Sequence, residues 1–124
     1  MSKELVKYRL ERADEAFEEA KLLAEKQRWN TSVNRLYYCC FYAVIALLAK
    51  EGLSSSKHTG VRSLFNLHYV KTGKVSRELA QIYNDLFEKR QEGDYIDFVR
   101  FDEEQVKPLI FETQKFLTEI KSII

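Results

Sequence analysis

The chain has few residues that break a helix. It contains one proline and four glycines in 124 residues, which favours long helices. Cysteine is nearly absent. Cys39 and Cys40 are the only two, and as neighbours in a helical run they point about 100° apart, poorly placed to bridge each other. No CxxC or Cys/His spacing accompanies them, so no metal site is expected, and the thiols read as buried and reduced. The N-terminus MSKELVKYRL lacks a signal-peptide apolar region. The longest apolar run, Leu36 to Ala49, is fourteen residues between Arg35 and Lys50. That is short for a bilayer and suits a buried core helix, so a cytoplasmic protein with no membrane contact is expected.

What is present fits one folded domain over residues 1–124. Apolar residues make up 45% and charged residues 31%, a globular rather than a disordered balance, and the length is enough to bury a core without metals or disulfides. The net charge of +1 announces no partner, but its distribution is uneven. No acid occurs from Gly52 to Arg77, where Lys57, Arg62, Lys71, Lys74 and Arg77 supply five positive charges beside His58 and His68. Acids gather in Glu11, Asp14, Glu15, Glu18 and Glu19. A locally basic face can hold phosphates; an ordinary solvated helix and loop gives the same pattern.

Hydrophobic periodicity predicts five helices. The first spans about Glu4 to Lys26, with Ala13, Ala16, Phe17, Ala20, Leu23 and Ala24 on one stripe. The second starts near Asn30 or Thr31, acceptable caps, and runs to about Lys50, with Gly52 at a C-terminal glycine position. It is apolar on most faces and is expected at the centre. A short third helix covers about Thr59 to Tyr69. Ser76 caps the fourth, whose stripe is Leu79, Ile82, Tyr83, Leu86 and Phe87, and Gly93 is expected to end it. The fifth opens with Asp102 to Gln105, a capping box in its aspartate form; Pro108 is expected to bend or shift that start. The predicted fold is all-α, an antiparallel bundle of four long helices and one short one.

Two polar intrusions interrupt the apolar stripes. Arg90 follows Leu86 by four and Phe87 by three, which places a guanidinium on the buried face of the fourth helix. Either its head snorkels to solvent and pairs with Asp94 or Asp97, or it is aimed into a cleft where it can hold a phosphate. In the central helix, Arg35, Tyr38 and Tyr42 share one stripe, which marks a cleft, a subunit boundary or a tyrosine-rich core edge.

The segments WNTSVNRLYYCCFYAVIALLAKEGL, KHTGVRSLFNLHYVKTG and LFEKRQEGDY, in this order over nearly the whole chain, resemble the small prokaryotic HEPN domains (higher eukaryotes and prokaryotes nucleotide-binding). The resemblance implies a helical bundle that dimerises. It implies a component of toxin–antitoxin or defence systems, commonly paired with a minimal nucleotidyltransferase. Active members are metal-independent ribonucleases carrying an arginine, four to six residues, then a histidine. Arg90 matches the motif arginine and Gln91 the polar residue after it. Tyr95 stands in the histidine's place, preceded by Asp94, as in a branch of the family that carries an aspartate–tyrosine pair there. Arg62 and His68 satisfy the same count, but in the third helix, where their side chains diverge.

The expected function is therefore an RNA- or nucleotide-binding, toxin-like component of a two-component system. The alternatives are a metal-independent endoribonuclease using Arg90 with His58 or Asp94, and a purely structural subunit. Histidine suits the proton transfers of RNA cleavage, whereas tyrosine is a poor base at neutral pH. Arg90, Asp94, Tyr95 and His58 are the candidate catalytic residues; Arg90, Gln91, Arg35, Tyr38 and Lys57 are the candidate RNA or nucleotide contacts. No cofactor is expected. Some family toxins are silenced by nucleotidyl transfer to a tyrosine just beyond the motif histidine; here Asp97 stands at that offset, and Tyr95, in the histidine's own place, is the acceptor considered for a nucleotidyl group from the partner.

Overall fold

A computed structural model describes residues 2–124, without the side chain of Ser2. Five helices follow in order: α1 Ser2–Glu25, α2 Trp29–Lys50, α3 His58–Phe65, α4 Arg77–Tyr95 and α5 Glu103–Ile123. No strand occurs among the described residues. One π-helical turn, Asn66–Val70, extends α3.

α2 is the central element and packs against α1, α3, α4 and α5. Val33, Leu36, Tyr37, Cys39, Cys40, Ala43, Val44, Leu47 and Leu48 are buried along it. It is long and apolar enough, by length and composition, to cross a bilayer, but 67% of its most apolar window is buried inside the bundle, as expected of a core helix. Ala13, Ala16 and Ala20 turn the small-residue face of α1 inward, which lets the two helix axes approach closely. The Ser32 hydroxyl donates to the Ala20 carbonyl at 2.8 Å across that contact. The two thiols are free and buried; burial pushes Cys39 up to about 12 and Cys40 well above its ordinary value, so both are protonated and inert.

Several local signals behave as read. Gly52 sits at φ +71, and the amides of Gly52 and Leu53 donate to the carbonyls of Ala49 and Leu48, the paired closure of a Schellman turn. Ser76 accepts from the Leu79 amide at 3.1 Å. Asp102 and Gln105 form the reciprocal capping box. Pro108 lies inside α5 and does not shift its start, because the capping box already fixes the first turn.

Besides the unshifted start at Pro108, three expectations change. Asn30 does not cap α2; the helix begins at Trp29 after Arg28. The Asn30 side chain instead donates to the carbonyls of Val99 (2.8 Å) and Gly93 (3.4 Å) and accepts from the Phe101 amide (2.8 Å). It ties the α4–α5 connection to the start of α2. Gly93 does not end α4, which continues to Tyr95. A Cβ there would stand 2.8 Å from Phe101 Cε2, so the glycine serves ring packing rather than termination. The third helix is shorter in its α-form than read, giving way at Asn66 to the π-helical turn.

Candidate functional site

Burial of the α4 stripe continues past Leu86 and Phe87 to Arg90, which is only 6% exposed. Its guanidinium does not reach solvent as a snorkelling head would. The guanidinium carbon lies 4.6 Å from the ring centre of Tyr37, 5.8 Å from that of Tyr38 and 5.8 Å from that of Tyr95. A planar, weakly hydrated cation suits such an aromatic setting, where an ammonium would lose more hydration.

The charge is only loosely matched. Arg90 Nη1 stands 3.9 Å from Asp94 Oδ2, beyond hydrogen-bond length. That same oxygen accepts from Asn34 Nδ2 at 2.9 Å, so Asn34 is the closer partner of the carboxylate. Arg90 Nε is buried with no hydrogen-bond partner among the described residues. A buried guanidinium with spare donors is costly unless something else accepts from it.

His58, the first residue of α3, joins this cluster from the other side of the sequence. Its Nδ1 is 2.7 Å from the Tyr37 hydroxyl. Its ring stacks on Phe41 with centres 4.3 Å apart and planes at 14°, and meets Tyr38 edge-on. Burial first, and the nearby Arg90 charge second, hold His58 below its ordinary value of 6.5, so it is a neutral imidazole at pH 7. Tyr37 is fully buried. Burial pushes its phenol up to about 12, with Arg90 pulling the other way, so it stays neutral and can bond His58 in either direction.

The remaining predicted residues divide. Arg35 stacks on Tyr38 at 4.9 Å and pairs with Glu19 at 3.4 Å, so it reaches the Arg90 cluster through Tyr38. Tyr42 lies under Arg12 at 4.9 Å and bonds it through its hydroxyl. The aromatic surplus of α2 is thus largely engaged by arginines of the same chain. Tyr95 is 74% exposed at the last turn of α4. Gln91 is exposed on α4, and Lys57 is exposed at the cap of α3; neither side chain bonds to the cluster among the described residues. Arg62 lies 3.8 Å over the ring of Phe87 and pairs with Glu88, apart from His68 in the π-helical turn.

Tyr37 is the site residue that the sequence pattern does not single out; Asn34 stands beside Arg35 in the polar interruption of the central helix. The signal for Tyr37 was a phenol inside an otherwise apolar stripe, since a buried phenol usually requires a polar partner.

Comparison with known proteins agrees with this architecture. The HEPN domain profile matches residues 6–123. A UPF0332 protein of Thermotoga maritima is 48% identical over 120 residues, covering 97% of this chain and 91% of that protein. Two Methanocaldococcus jannaschii proteins, each bearing the name "Putative toxin", are 30% identical over 115 residues; each match covers 93% of this chain, and 78% and 85% of the respective relatives. With a profile match running from α1 to the end of α5 and relatives aligned over nearly the same span, the chain belongs to the HEPN-domain family.

Proposed function

We propose that this protein is the RNA- or nucleotide-binding component of a toxin-like two-component system, acting with a minimal nucleotidyltransferase. The observation that carries this reading is Arg90. Its guanidinium is buried, held among three tyrosines and left with spare donors because Asn34 is the closer partner of Asp94. A phosphate supplies the acceptors such a group lacks, in a geometry that a planar fork matches. The relatives that bear the toxin name support the system-level part. Tyr95, exposed beside Arg90, offers its hydroxyl to a partner that transfers nucleotidyl groups, and the added phosphate would compete with RNA for Arg90.

A second reading, metal-independent RNA cleavage, is favoured by one observation: the neutral imidazole of His58 joins the same cluster as Arg90. If the Tyr37 phenol donates to Nδ1, Nε2 carries the proton and can deliver it to a leaving oxygen. If Nδ1–H donates to the phenol, Nε2 is free to take the 2′-hydroxyl proton. In that reaction the 2′-oxygen bonds to phosphorus, the bond to the 5′-oxygen breaks, and Arg90 offsets the charge on the phosphorane.

Incubation of the purified protein with total RNA in excess chelator separates the two readings. Retained, intact RNA that Arg90→Ala releases is expected for binding. Fragments lost on His58→Ala would establish cleavage, and RNA neither retained nor cut would defeat both.

A further inference from the structure

The connection between α4 and α5 holds a phenyl ring outside the core at a conformational cost. Phe98 is 99% exposed and adopts φ +67, a left-handed backbone that a bulky L-residue rarely takes. Asn30 fixes the chain on both sides of it, through the carbonyls of Gly93 and Val99 and the amide of Phe101. A constrained backbone therefore presents the ring to solvent, and the ring gains nothing from the core. Strain kept under such constraint marks a side chain that is used. A flat, exposed ring on a fixed backbone is a stacking platform for single-stranded nucleic acid, because every base has a π-face.

Beside the ring lies a cavity of about 500 Å³, between the α1–α2 turn and the same connection, walled in part by Trp29 and Phe101. Its size suits a small organic ligand. Arg28, Asp97 and Arg100 line it; all three are exposed and, among the described residues, their side chains make no ion pair or hydrogen bond. Asp94 lines the cavity as well and stands 3.9 Å from Arg90 Nη1, so the cavity adjoins the Arg90 cluster. A strand whose phosphate lies on Arg90 has a neighbouring base within reach of it. Asn34 already engages the Asp94 carboxylate, which leaves Asp97 as the uncommitted acceptor.

Edge chemistry selects among the bases. A carboxylate accepts hydrogen bonds and donates none. Guanine alone offers two adjacent N–H donors, N1–H and N2–H, on its pairing edge, and the two oxygens of one carboxylate match them. Adenine and cytosine set an amino group beside an acceptor nitrogen. Uracil sets its single N–H between two carbonyl oxygens, which repel a carboxylate. We infer that this cavity recognises one base of single-stranded RNA, a guanine that stacks on Phe98 and donates N1–H and N2–H to Asp97. The guanine belongs to the nucleotide next to the phosphate on Arg90, so the inference rests on the proposed reading of Arg90. Arg28 and Arg100 supply cations for the flanking phosphates.

The test is equilibrium binding of fluorescent oligouridylates of equal length at one stated salt concentration. One strand is all uridine; the others carry a single central guanosine, inosine or adenosine. Wild type should bind the guanosine strand about tenfold more tightly than the all-uridine strand, with inosine, which lacks the N2 amine, between them. Asp97→Asn should bring the guanosine strand to the level of the all-uridine one. Phe98→Ser should weaken the guanosine strand about tenfold with unchanged helical circular dichroism, whereas Phe111→Ser, at a ring 75% exposed on α5, changes nothing. Arg90→Ala should weaken every strand alike. Strands bound alike by wild type and all weakened by Arg90→Ala would overturn the base site and leave the Arg90 reading standing; no strand bound would overturn both. A guanosine preference that survives Asp97→Asn would also overturn the inference. So would guanosine binding unmoved by Phe98→Ser, the result for a ring reserved for a protein partner.

Discussion

The hydroxyl of Tyr37 lies 2.7 Å from Nδ1 of His58, a bond between two residues 21 positions apart that brings the start of α3 to the middle of α2. Through it the imidazole is held in the same aromatic cluster as the Arg90 guanidinium. Tyr37→Phe removes the bond and keeps the ring. The cost to folding is expected to be about 1 kcal/mol, the scale of one net hydrogen bond. If the phenol is the donor to Nδ1, its loss should also move the His58 pKa up, because that bond favours the neutral ring, while burial and Arg90, the causes that hold His58 low, remain. Proton NMR titration of His58 in both proteins reads this directly; an unmoved midpoint would show that the phenol does not hold the neutral form.

Stability should depend on pH through the same imidazole. Burial and Arg90 lower the His58 pKa in the folded chain, so as pH falls the unfolded chain takes up the proton first. The His58 contribution is therefore complete above about 6.5, the unfolded value, and declines as pH drops from there to the lowered folded value. Urea midpoints measured between about pH 5 and pH 7.5 should fall more steeply on the acid side in wild type than in His58→Gln. Parallel curves would remove His58 from the account.

Gly93→Ala tests why a glycine sits inside α4. On helix propensity alone the change should stabilise by about 0.5–1 kcal/mol. The new methyl would stand 2.8 Å from Phe101 Cε2. Phe101 is itself buried, and its amide is fixed by Asn30, so the ring cannot simply withdraw. Overpacking of this kind costs about 1–3 kcal/mol, and the net outcome expected from chemical denaturation is a loss. A gain would mean that the Phe101 ring yields freely.

The sequence is most legible where a signal is local. The Ser76 cap, the Asp102–Gln105 box and the left-handed Gly52 are each decided within one turn of chain, and the apolar run of α2 within one unbroken stretch of neighbours; each is found as read. Asn30 was misread because its cap preference is a local tendency, while three backbone groups of residues 93–101 compete for the same side chain and win. Gly93 misled for a related reason: a glycine late in a helix signals an end only when no ring needs its missing Cβ. At the site, the position of Arg90 on the buried face follows from its spacing to Leu86 and Phe87. The His58–Tyr37 bond and the Asn34–Asp94 bond join residues 21 and 60 positions apart, and no periodicity encodes them.

The most direct test of the central claim is equilibrium binding of a fluorescent single-stranded RNA at low, stated salt. Wild type is compared with Arg90→Ala and Arg90→Lys, all three checked for equal helical content. If Arg90 holds phosphate, Arg90→Ala should lose about 1–3 kcal/mol of binding free energy, the scale of a charge-assisted contact. Arg90→Lys should recover little of it, because an ammonium reproduces neither the fork nor the stacking on Tyr37. Equal affinities for wild type and Arg90→Ala would contradict the account.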